Sequence, residues 1–382
     1  MLDAAEQIHV NDRRKQPVVY IFNPDNDLAL AHEAMMSRRG LPRAVYTPKP
    51  RAEQLARSLA LLPAWYAAPD SSVLAPVGSD VEGLQQWLNR HLDGITVTDR
   101  VPREPATLRP WGWSNTLISK LLSQGASPLS IPSNTQRLAQ LSSRQLTMTV
   151  HERLAAALGH TLCPMPTVLS SLDEVKHFIT SHQSGCYFKK LWSGSGRGIY
   201  HTREASATRE LLQWTGGEIA RCGAVMGEPT FERIMDMAVE FECRDGKVTI
   251  AGYSIFHVDS HDRWQGNIVD KKDNLHERIT TRYGDFDKVV AALSGIIADI
   301  VPVDYNGHLG VDMLLFREGE NIGIDPCVEV NMRCTMGLVA AMLGERCNLH
   351  GRLHIVPREE ITASDTAVTP PDNHFVAVVS PL

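Results

Sequence analysis

Residues 328–333, near the carboxyl end of the chain, constrain the fold most strongly. Apolar and polar side chains alternate there with a period of two, the pattern of a β-strand that has one buried face. The polar face carries Glu329, Asn331 and Arg333, which are a carboxylate, an amide and a guanidinium. Oxygen ligands suit Mg²⁺ and a planar guanidinium suits phosphate, so this face is suited to hold a metal against phosphates. For this segment taken alone, the solvated face of an amphipathic strand is the alternative interpretation.

The composition indicates a soluble globular protein. With 382 residues, 43% of them apolar and 21% charged, the chain is long enough for two or three domains with a hydrophobic core. A net charge of −6 argues against nucleic acid as the main partner. The sequence contains no apolar run of membrane-spanning length and no signal-peptide pattern. The seven cysteines form no C-x-x-C pair, which predicts free thiols in a reducing cytoplasm and no zinc cluster.

Strand and helix signals alternate along the chain and predict a mixture of α/β and α+β architecture. Residues 18–22 read as a strand, residues 23–27 as a turn and residues 28–37 as a helix, which is the first step of an open α/β domain. Such turns often hold ligands, but closing the turn and capping the helix explains Asp25 and Asn26 equally well. We predict a domain over 1–130, a second region over 131–360 and a tail over 361–382, with helices over 142–159, 172–181 and 285–301.

A glycine-rich segment follows a predicted strand in the middle of the chain. Residues 193–198 contain three glycines and two serines, so the backbone there can approach an anion closely and leave N–H groups free to bind it. Lys189 ends the preceding strand and is placed to reach the same phosphates. The spacing matches neither the phosphate loop nor the dinucleotide-binding turn. We therefore predict a hairpin flap that lies over phosphates.

Residues 310–316 and 322–331 predict a hairpin that strengthens the metal interpretation. If its turn centres near Glu320, Asp312 lies opposite Glu329 on the same side of the sheet. Directly opposed side chains have Cβ atoms about 5 Å apart, and two carboxylates that close repel unless a cation lies between them. Together with Asn331 they offer oxygen ligands for one or two Mg²⁺ ions.

In the order of these motifs, residues 131–349 resemble the ATP-grasp superfamily. Within it, the chain is most similar to amidoligase-like, carboxylate–amine ligase members such as the synthetase domains of carbamoyl phosphate synthetase. The resemblance implies an ATP-grasp fold, in which two α+β lobes clasp ATP, after the amino-terminal open α/β domain. It assigns residues 131–205 to a flap-bearing lobe and residues 206–360 to a metal-bearing lobe.

The resemblance also implies a role for each matching residue. Arg333 falls on the catalytic arginine that steadies the transferring phosphoryl group. Glu228 falls on the hinge that accepts a hydrogen bond near the adenine, and Asp236 on the acidic residue that holds the ribose, with Glu232 and Glu240 as nearby alternatives. The implied metal ligands are Asp312, Glu329 and Asn331. The implied ATP contacts are Arg144, Lys189, Gly194, Ser195, Gly196, Arg197, Gly198, Glu228 and Asp236.

The activity that the resemblance implies is ligation that consumes ATP in the presence of Mg²⁺ or Mn²⁺. A small-molecule carboxylate is activated as an acyl phosphate, and an amine or thiol then displaces phosphate. A small-molecule kinase with the same fold is one alternative, and a non-catalytic nucleotide-binding protein is another. The sequence identifies neither the carboxylate nor the nucleophile nor the oligomeric state, and it predicts no nucleic-acid or membrane partner.

Overall fold

The described part of the chain forms three β-sheets. The structure is a computed structural model and describes residues 16–41, 44–194, 196 and 198–382. Among the helices of these residues, none combines the length and the apolarity that crossing a membrane requires. All seven cysteines lie in the described ranges and have free thiols, as predicted.

The first sheet is parallel and belongs to the amino-terminal domain. Its strands lie in the order β3-β2-β1-β4, so the order reverses between β1 and β4. The predicted open α/β fold of this region is confirmed. Side-chain caps begin two of its helices: Asp80 accepts from Gly83 N and Ser114 accepts from Leu117 N. The elements are β1 (Val18–Ile21), α1 (Asn26–Arg38), α2 (Pro50–Ser58), β2 (Ser71–Leu74), α3 (Val81–Leu88), β3 (Ile95–Thr98), β4 (Thr107–Pro110) and α4 (Asn115–Ser123).

The second sheet is antiparallel, in the order β5-β8-β6-β7, and carries the glycine-rich hairpin. Its strand β8 lies beyond residue 205, where the sequence analysis ended this lobe. The helix predicted over 142–159 is also shorter, because Ser142 ends α5 and Gln145 precedes α6, while Gly159 ends α6 with φ +81° as predicted. The elements are α5 (Thr135–Leu141), α6 (Leu146–Leu158), β5 (Thr167–Leu169), α7 (Leu172–Ser181), β6 (Cys186–Lys190), β7 (Ile199–Thr202), α8 (Arg209–Cys222) and β8 (Val225–Pro229).

The third sheet is antiparallel and has the order β13-β12-β9-β10-β11-β14-β16-β15. Asp245 and Gly246, at φ +50° and +73°, form the tight turn between β9 and β10. The residues predicted as a tail contribute β15 and β16, so this segment extends the sheet. The elements are β9 (Glu232–Arg244), β10 (Lys247–Val258), β11 (Trp264–Val269), α9 (Lys272–Thr280), α10 (Phe286–Ile300), β12 (Gly307–Glu318), β13 (Asn321–Asn331), α11 (Met336–Cys347), β14 (Gly351–Pro357), β15 (Thr366–Ala367) and β16 (Phe375–Ser380).

The face of the third sheet that packs on α6 and α10 is apolar. Along β9, β12 and β13, successive side chains alternate between this face and the opposite one. The buried residues here form one core with the helices, and Val330 and Met332 belong to it, as the alternation predicted. From the three strands the core takes Met237, Val239, Phe241, Leu309, Val311, Met313 and Val330.

Candidate active site

The opposite face of β9, β12 and β13 carries the predicted metal ligands. Asp312 is paired with Glu329, so the predicted opposition of these two carboxylates is confirmed. The turn lies one residue earlier than predicted, between Glu318 and Asn321, and a bulge offsets the difference. From the Leu314–Asp325 pair to the Asp312–Glu329 pair, the chain advances two residues on β12 and four on β13. Because both steps are even, the two carboxylates stay on one face.

Carboxyl groups on this face have raised pKa values. Burial, reinforced by Glu329, raises the pKa of Asp312 to about 7, against the effects of Arg333 and Asn331. Burial also raises the pKa of Asp236 to about 6. The face therefore concentrates acidic groups where the charged forms are poorly solvated, and a cation would stabilise them. Because their oxygen atoms lie among these buried acidic groups, Asp312, Glu329 and Asn331 fit a divalent metal ion with oxygen ligands.

Arg144 connects the glycine-rich hairpin to the metal face. Its Nη2 donates to Glu329 Oε2 at 2.7 Å, and its Nη1 donates to Ser193 Oγ at 2.6 Å and to Lys190 O at 2.7 Å. The side chain is almost fully buried, and its Nε has no partner among the described residues. In this structure the guanidinium thus neutralises a predicted metal ligand, and its unsatisfied Nε fits an anion brought to the same place.

The neighbouring lysines of β6 point in opposite directions. Lys189 is buried and its Nζ donates to the Glu228 carboxylate on the adjacent strand β8. Burial raises the pKa of Glu228, although Lys189 acts against this shift. Lys190 instead places its Nζ 2.9 Å from Glu218 Oε1 on α8. Because successive side chains of a strand point to opposite faces, Lys189 lies on the face of the sheet that holds Glu228, and Lys190 lies on the other face.

The hairpin tip approaches the site through its glycines. Gly196 and Gly198 have φ values of +70° and +82°, which favour glycine. A Cβ at position 194 would lie 2.5 Å from Asp27 Oδ2, so Gly194 allows the tip to contact the amino-terminal domain. Ser195 and Arg197, which the sequence analysis assigned to the flap, lie outside the described residues.

The acidic residues of β9 differ in the contacts that they make and in how exposed their side chains are. Asp236 is paired with Leu314 on the site face, and Arg233 Nη1 donates to Asp236 Oδ2 at 3.2 Å. Of the alternatives, Glu232 is exposed and accepts from Arg317. Glu240 lies on the site face and is almost fully buried, with Oε1 unpartnered among the described residues.

Sequence reasoning did not assign a role to Asp27, which contacts Arg333. Arg333 Nε donates to Asp27 Oδ1 and Oδ2 at 3.0 and 2.9 Å, and Arg333 Nη2 lies 2.9 Å from Oδ2. The same Nη2 donates to Asn331 Oδ1 at 2.8 Å. The available signal was the position of Asp27 in a turn at the carboxyl end of the first strand, where ligands often bind.

A second buried polar group lies next to β13 and includes Asp325. His151 Nε2 is 3.3 Å from Asp325 Oδ1, and His151 Nδ1 is 3.9 Å from Cys163 Sγ. Burial lowers the pKa of His151, but Asp325 and the Cys327 carbonyl raise it by more. The three donor groups lie within 4.8 Å of one another. Since opposite ring nitrogens face the thiol and the carboxylate, the group reads as a hydrogen-bonded chain.

The sequence matches no protein-family model and no curated protein. Solved structures are similar in overall fold. One is N5-carboxyaminoimidazole synthetase from Staphylococcus aureus, at 10% identity, over 95% of this chain and 93% of that one, with a TM-score of 0.47. Another is N5-carboxyaminoimidazole synthase from Aspergillus clavatus, at 11% identity, over 96% and 92% of the two chains, with a TM-score of 0.48.

Biotin carboxylase from Campylobacter jejuni is similar at 11% identity, over 96% of this chain and 87% of that one, with a TM-score of 0.45. At these identities and TM-scores, the reaction of this chain has to rest on its own residues.

Proposed function

We propose that this protein is an ATP-grasp ligase that uses ATP and Mg²⁺ to activate a small-molecule carboxylate as an acyl phosphate, which an amine or thiol then attacks. One observation carries the proposal. The opposed carboxylates Asp312 and Glu329 lie on a sheet face that Arg144 ties to the glycine-rich hairpin through bonds of 2.6 to 2.7 Å. Metal ligands and phosphate-binding groups are thereby neighbours, as phosphoryl transfer requires.

The proposed metal site consists of Asp312, Glu329 and Asn331. A Mg²⁺ or Mn²⁺ ion held there would neutralise charge on the nucleotide phosphates. Glu329 has two carboxylate oxygens and gives only Oε2 to Arg144, so Oε1 remains for another partner. The fit is supported by the raised pKa of Asp312, which shows that burial and Glu329 disfavour its charge when no cation is present.

The proposed nucleotide site is formed by both antiparallel sheets. Lys189 and Arg144 supply positive charge to the phosphates, and the backbone of the hairpin tip at Gly194, Gly196 and Gly198 covers them. Glu228 is the penultimate residue of β8 and lies four residues before β9 begins, a position suited to a hinge beside the adenine. Asp236, on the site face of β9, is proposed to accept from the ribose hydroxyls.

The proposed chemistry requires no covalent bond to the protein. A carboxylate oxygen of the substrate attacks the γ-phosphorus, the bond to the β-phosphate oxygen breaks, and ADP leaves. The nucleophile then attacks the acyl carbon, and inorganic phosphate leaves. Arg333 stabilises the charge of the phosphoryl group in transit, which is an effect of positioning and electrostatics. Seven free thiols support action in a reducing cytoplasm.

The proposal is tested by trapping the acyl phosphate. The protein is incubated with ATP, Mg²⁺ and pooled small carboxylates, with and without hydroxylamine, and ADP and hydroxamates are measured. We expect ADP formation that depends on Mg²⁺, together with a hydroxamate. Asp312→Asn serves as the control for contaminating ATPase activity, because it removes a proposed metal ligand with little change in size.

Other outcomes would identify the alternatives. ADP with a stable phosphorylated product and no hydroxamate would mean a kinase. Nucleotide binding without ADP formation, across the whole carboxylate pool, would mean a non-catalytic nucleotide-binding protein. Either result would contradict the proposed ligase. Once a carboxylate is found, amines and thiols offered in place of hydroxylamine identify the class of nucleophile.

A further inference from the structure

The amino-terminal domain reaches the proposed catalytic arginine through Asp27. This residue lies in the first turn of α1, directly after the turn that follows β1, and it is 306 residues from Arg333 in the sequence. The carboxylate meets Nε and Nη2 of the guanidinium at 2.9 to 3.0 Å, and both side chains are largely buried. Nε donates to both carboxylate oxygens and Nη2 lies within ion-pair distance of Oδ2, so the contact restricts the orientation of the guanidinium as well as neutralising its charge.

Two further contacts engage Arg333. Nη2 donates to Asn331 Oδ1 at 2.8 Å, and Nη1 donates to Cys334 O at 3.1 Å. A guanidinium has five N–H groups, and with the one on Nε three of them donate here, so one N–H on Nη1 and one on Nη2 have no hydrogen-bond partner among the described residues. Arg333 therefore has three hydrogen-bond partners, which are Asp27, Asn331 and the Cys334 carbonyl, and Asp27 is the charged one.

The backbone around this contact is fixed as well. Cys334 N donates to Trp111 O at 2.7 Å, and Arg333 forms an isolated β-bridge with Gly112. The Asn23 carboxamide donates to Gly112 O at 2.8 Å and accepts from Gly112 N at 3.3 Å. The loops after β1 and β4 are thus bound to each other and to Arg333. They lie where the strand order of the parallel sheet reverses, which is the usual place for a ligand in such a sheet.

We propose that Asp27 is a positioning residue for phosphoryl transfer, supplied by the amino-terminal domain, that holds the Arg333 guanidinium so that its remaining N–H groups meet the γ-phosphoryl group of ATP. The inference rests on the proposed function, because it assumes that Arg333 faces that phosphoryl group. A donor fixed before the substrate arrives stabilises charge at a lower reorganisation cost than a mobile one. Asp27 acts on the nucleotide through Arg333 and does not touch it.

The test is a double-mutant cycle on nucleotide binding. Dissociation constants of Mg²⁺·AMP-PNP and Mg²⁺·ADP are measured by calorimetry for wild type, Asp27→Asn, Arg333→Gln and the double variant. Since only AMP-PNP carries a γ-phosphoryl group, we expect Asp27→Asn to weaken AMP-PNP binding about tenfold and to change ADP binding less than about twofold. In the Arg333→Gln background, Asp27→Asn should have no further effect.

Two more variants separate positioning from general damage to the domain. Asp27→Glu keeps the negative charge and should lose less AMP-PNP affinity than Asp27→Asn. Glu33→Gln is the matched control, because Glu33 lies on the same helix and accepts from Asn115 N and Thr116 N, at 3.1 and 2.9 Å. It should leave the ratio of the two affinities unchanged, even if it lowers the temperature of unfolding.

The proposal is overturned if Asp27→Asn leaves the ratio of the affinities unchanged, or if it strengthens AMP-PNP binding, which would show that Asp27 competes with the nucleotide for Arg333. Additive effects in the cycle would overturn it too. If the wild-type protein binds neither nucleotide, the proposed function itself fails and this inference fails with it. If it binds both and Asp27→Asn behaves like wild type, only this inference fails.

Discussion

The two faces of the strands β9, β12 and β13 differ in almost every physical property. One face is an apolar core packed on α6 and α10, and its residues Phe241, Leu309 and Val311 are fully buried. The other carries Asp236, Glu240 and Asp312, whose carboxyl groups all have pKa values raised chiefly by burial. The first face stabilises the fold, whereas the second holds charge that burial disfavours.

By the alternation of its side chains, one sheet thus separates an apolar core from the proposed active site. Substitutions on the core face should lower the free energy of unfolding, and their effect on activity should follow from that loss. Substitutions on the site face should remove activity at little cost in stability, as is common where burial of charge serves function. Four experiments follow in order of expected effect; three test this separation, and one tests the same principle on strand β6.

The largest effect should come from Phe241→Ala on the core face. Removal of a fully buried aromatic side chain leaves a cavity and should lower the free energy of unfolding by about 3 to 5 kcal/mol. Urea unfolding followed by tryptophan fluorescence measures it. Lys247→Ala, an exposed change in the adjacent strand β10, is the control and should lie within about 0.5 kcal/mol of wild type. A loss below about 1 kcal/mol for Phe241→Ala would mean that this face is not the main core.

Glu329→Gln on the site face should abolish function while the fold persists. We expect Mg²⁺-dependent ADP formation to fall by about 10² to 10³, because a preorganised charged group at the phosphates is lost. Thermal unfolding should shift little, since Gln can still accept from Arg144. Glu320→Gln, in the exposed turn of the same hairpin, should keep full activity. Normal activity of Glu329→Gln would show that the metal assignment is wrong.

The variants Lys189→Ala and Lys190→Ala compare side chains on the two faces of strand β6. Lys189 faces Glu228, so its loss should weaken ATP binding about 10- to 100-fold, the value of a charge-assisted contact. Lys190 pairs with Glu218, which retains Arg221 at 3.1 Å, so its loss should change ATP binding less than about threefold. Calorimetric titration with Mg²⁺·ATP measures both affinities. Equal effects would contradict the assignment of Lys189, rather than Lys190, to the face of the proposed nucleotide site.

Glu240→Gln tests the cost of a buried carboxyl on the site face. Burial raises the pKa of Glu240 from 4.5 to about 8, so between these values the folded protein holds a proton that the unfolded chain has released. Stability should therefore fall as the pH rises through this window, by at most about 1.4 kcal/mol per pH unit from this group. Glu240→Gln should remove that slope in urea unfolding at about pH 5.5, 6.5 and 7.5. An unchanged slope would mean that Glu240 is not the group responsible.

The sequence did not predict the space that the Glu240 carboxylate occupies. Side chains at positions 310 and 337 would collide with its carboxylate, so the two glycines make the space that it occupies. Gly310 and Gly337 are 70 and 97 residues from Glu240 in the sequence, and no local pattern connects them. The pairing of β12 with β9 brings Gly310 to Glu240, and the packing of α11 against β9 and β10 brings Gly337 there.

Local patterns predicted the elements and missed some pairings. The helix end at Gly159 was correct because a left-handed cap is a local property. The start of the same helix was wrong because Ser142, the predicted first residue, ends the preceding helix α5. The segment predicted as a tail contains β16, whose partners β14 and β15 are chosen by the sheet. Pairing depends on tertiary structure more than on the propensity of one segment.

The sequence by itself determined which side chains share a face. Alternation along 328–333 put Glu329, Asn331 and Arg333 on one side, because it depends only on neighbouring residues. The pairing of Asp312 with Glu329 was also predicted, but it depends on a bulge that offsets the earlier turn and that the sequence did not indicate. The tertiary structure alone decided which charges neutralise one another. Arg144 meets Glu329 across 185 residues, and Asp27 meets Arg333 across 306, because three sheets fold against one another and no local rule fixes such contacts.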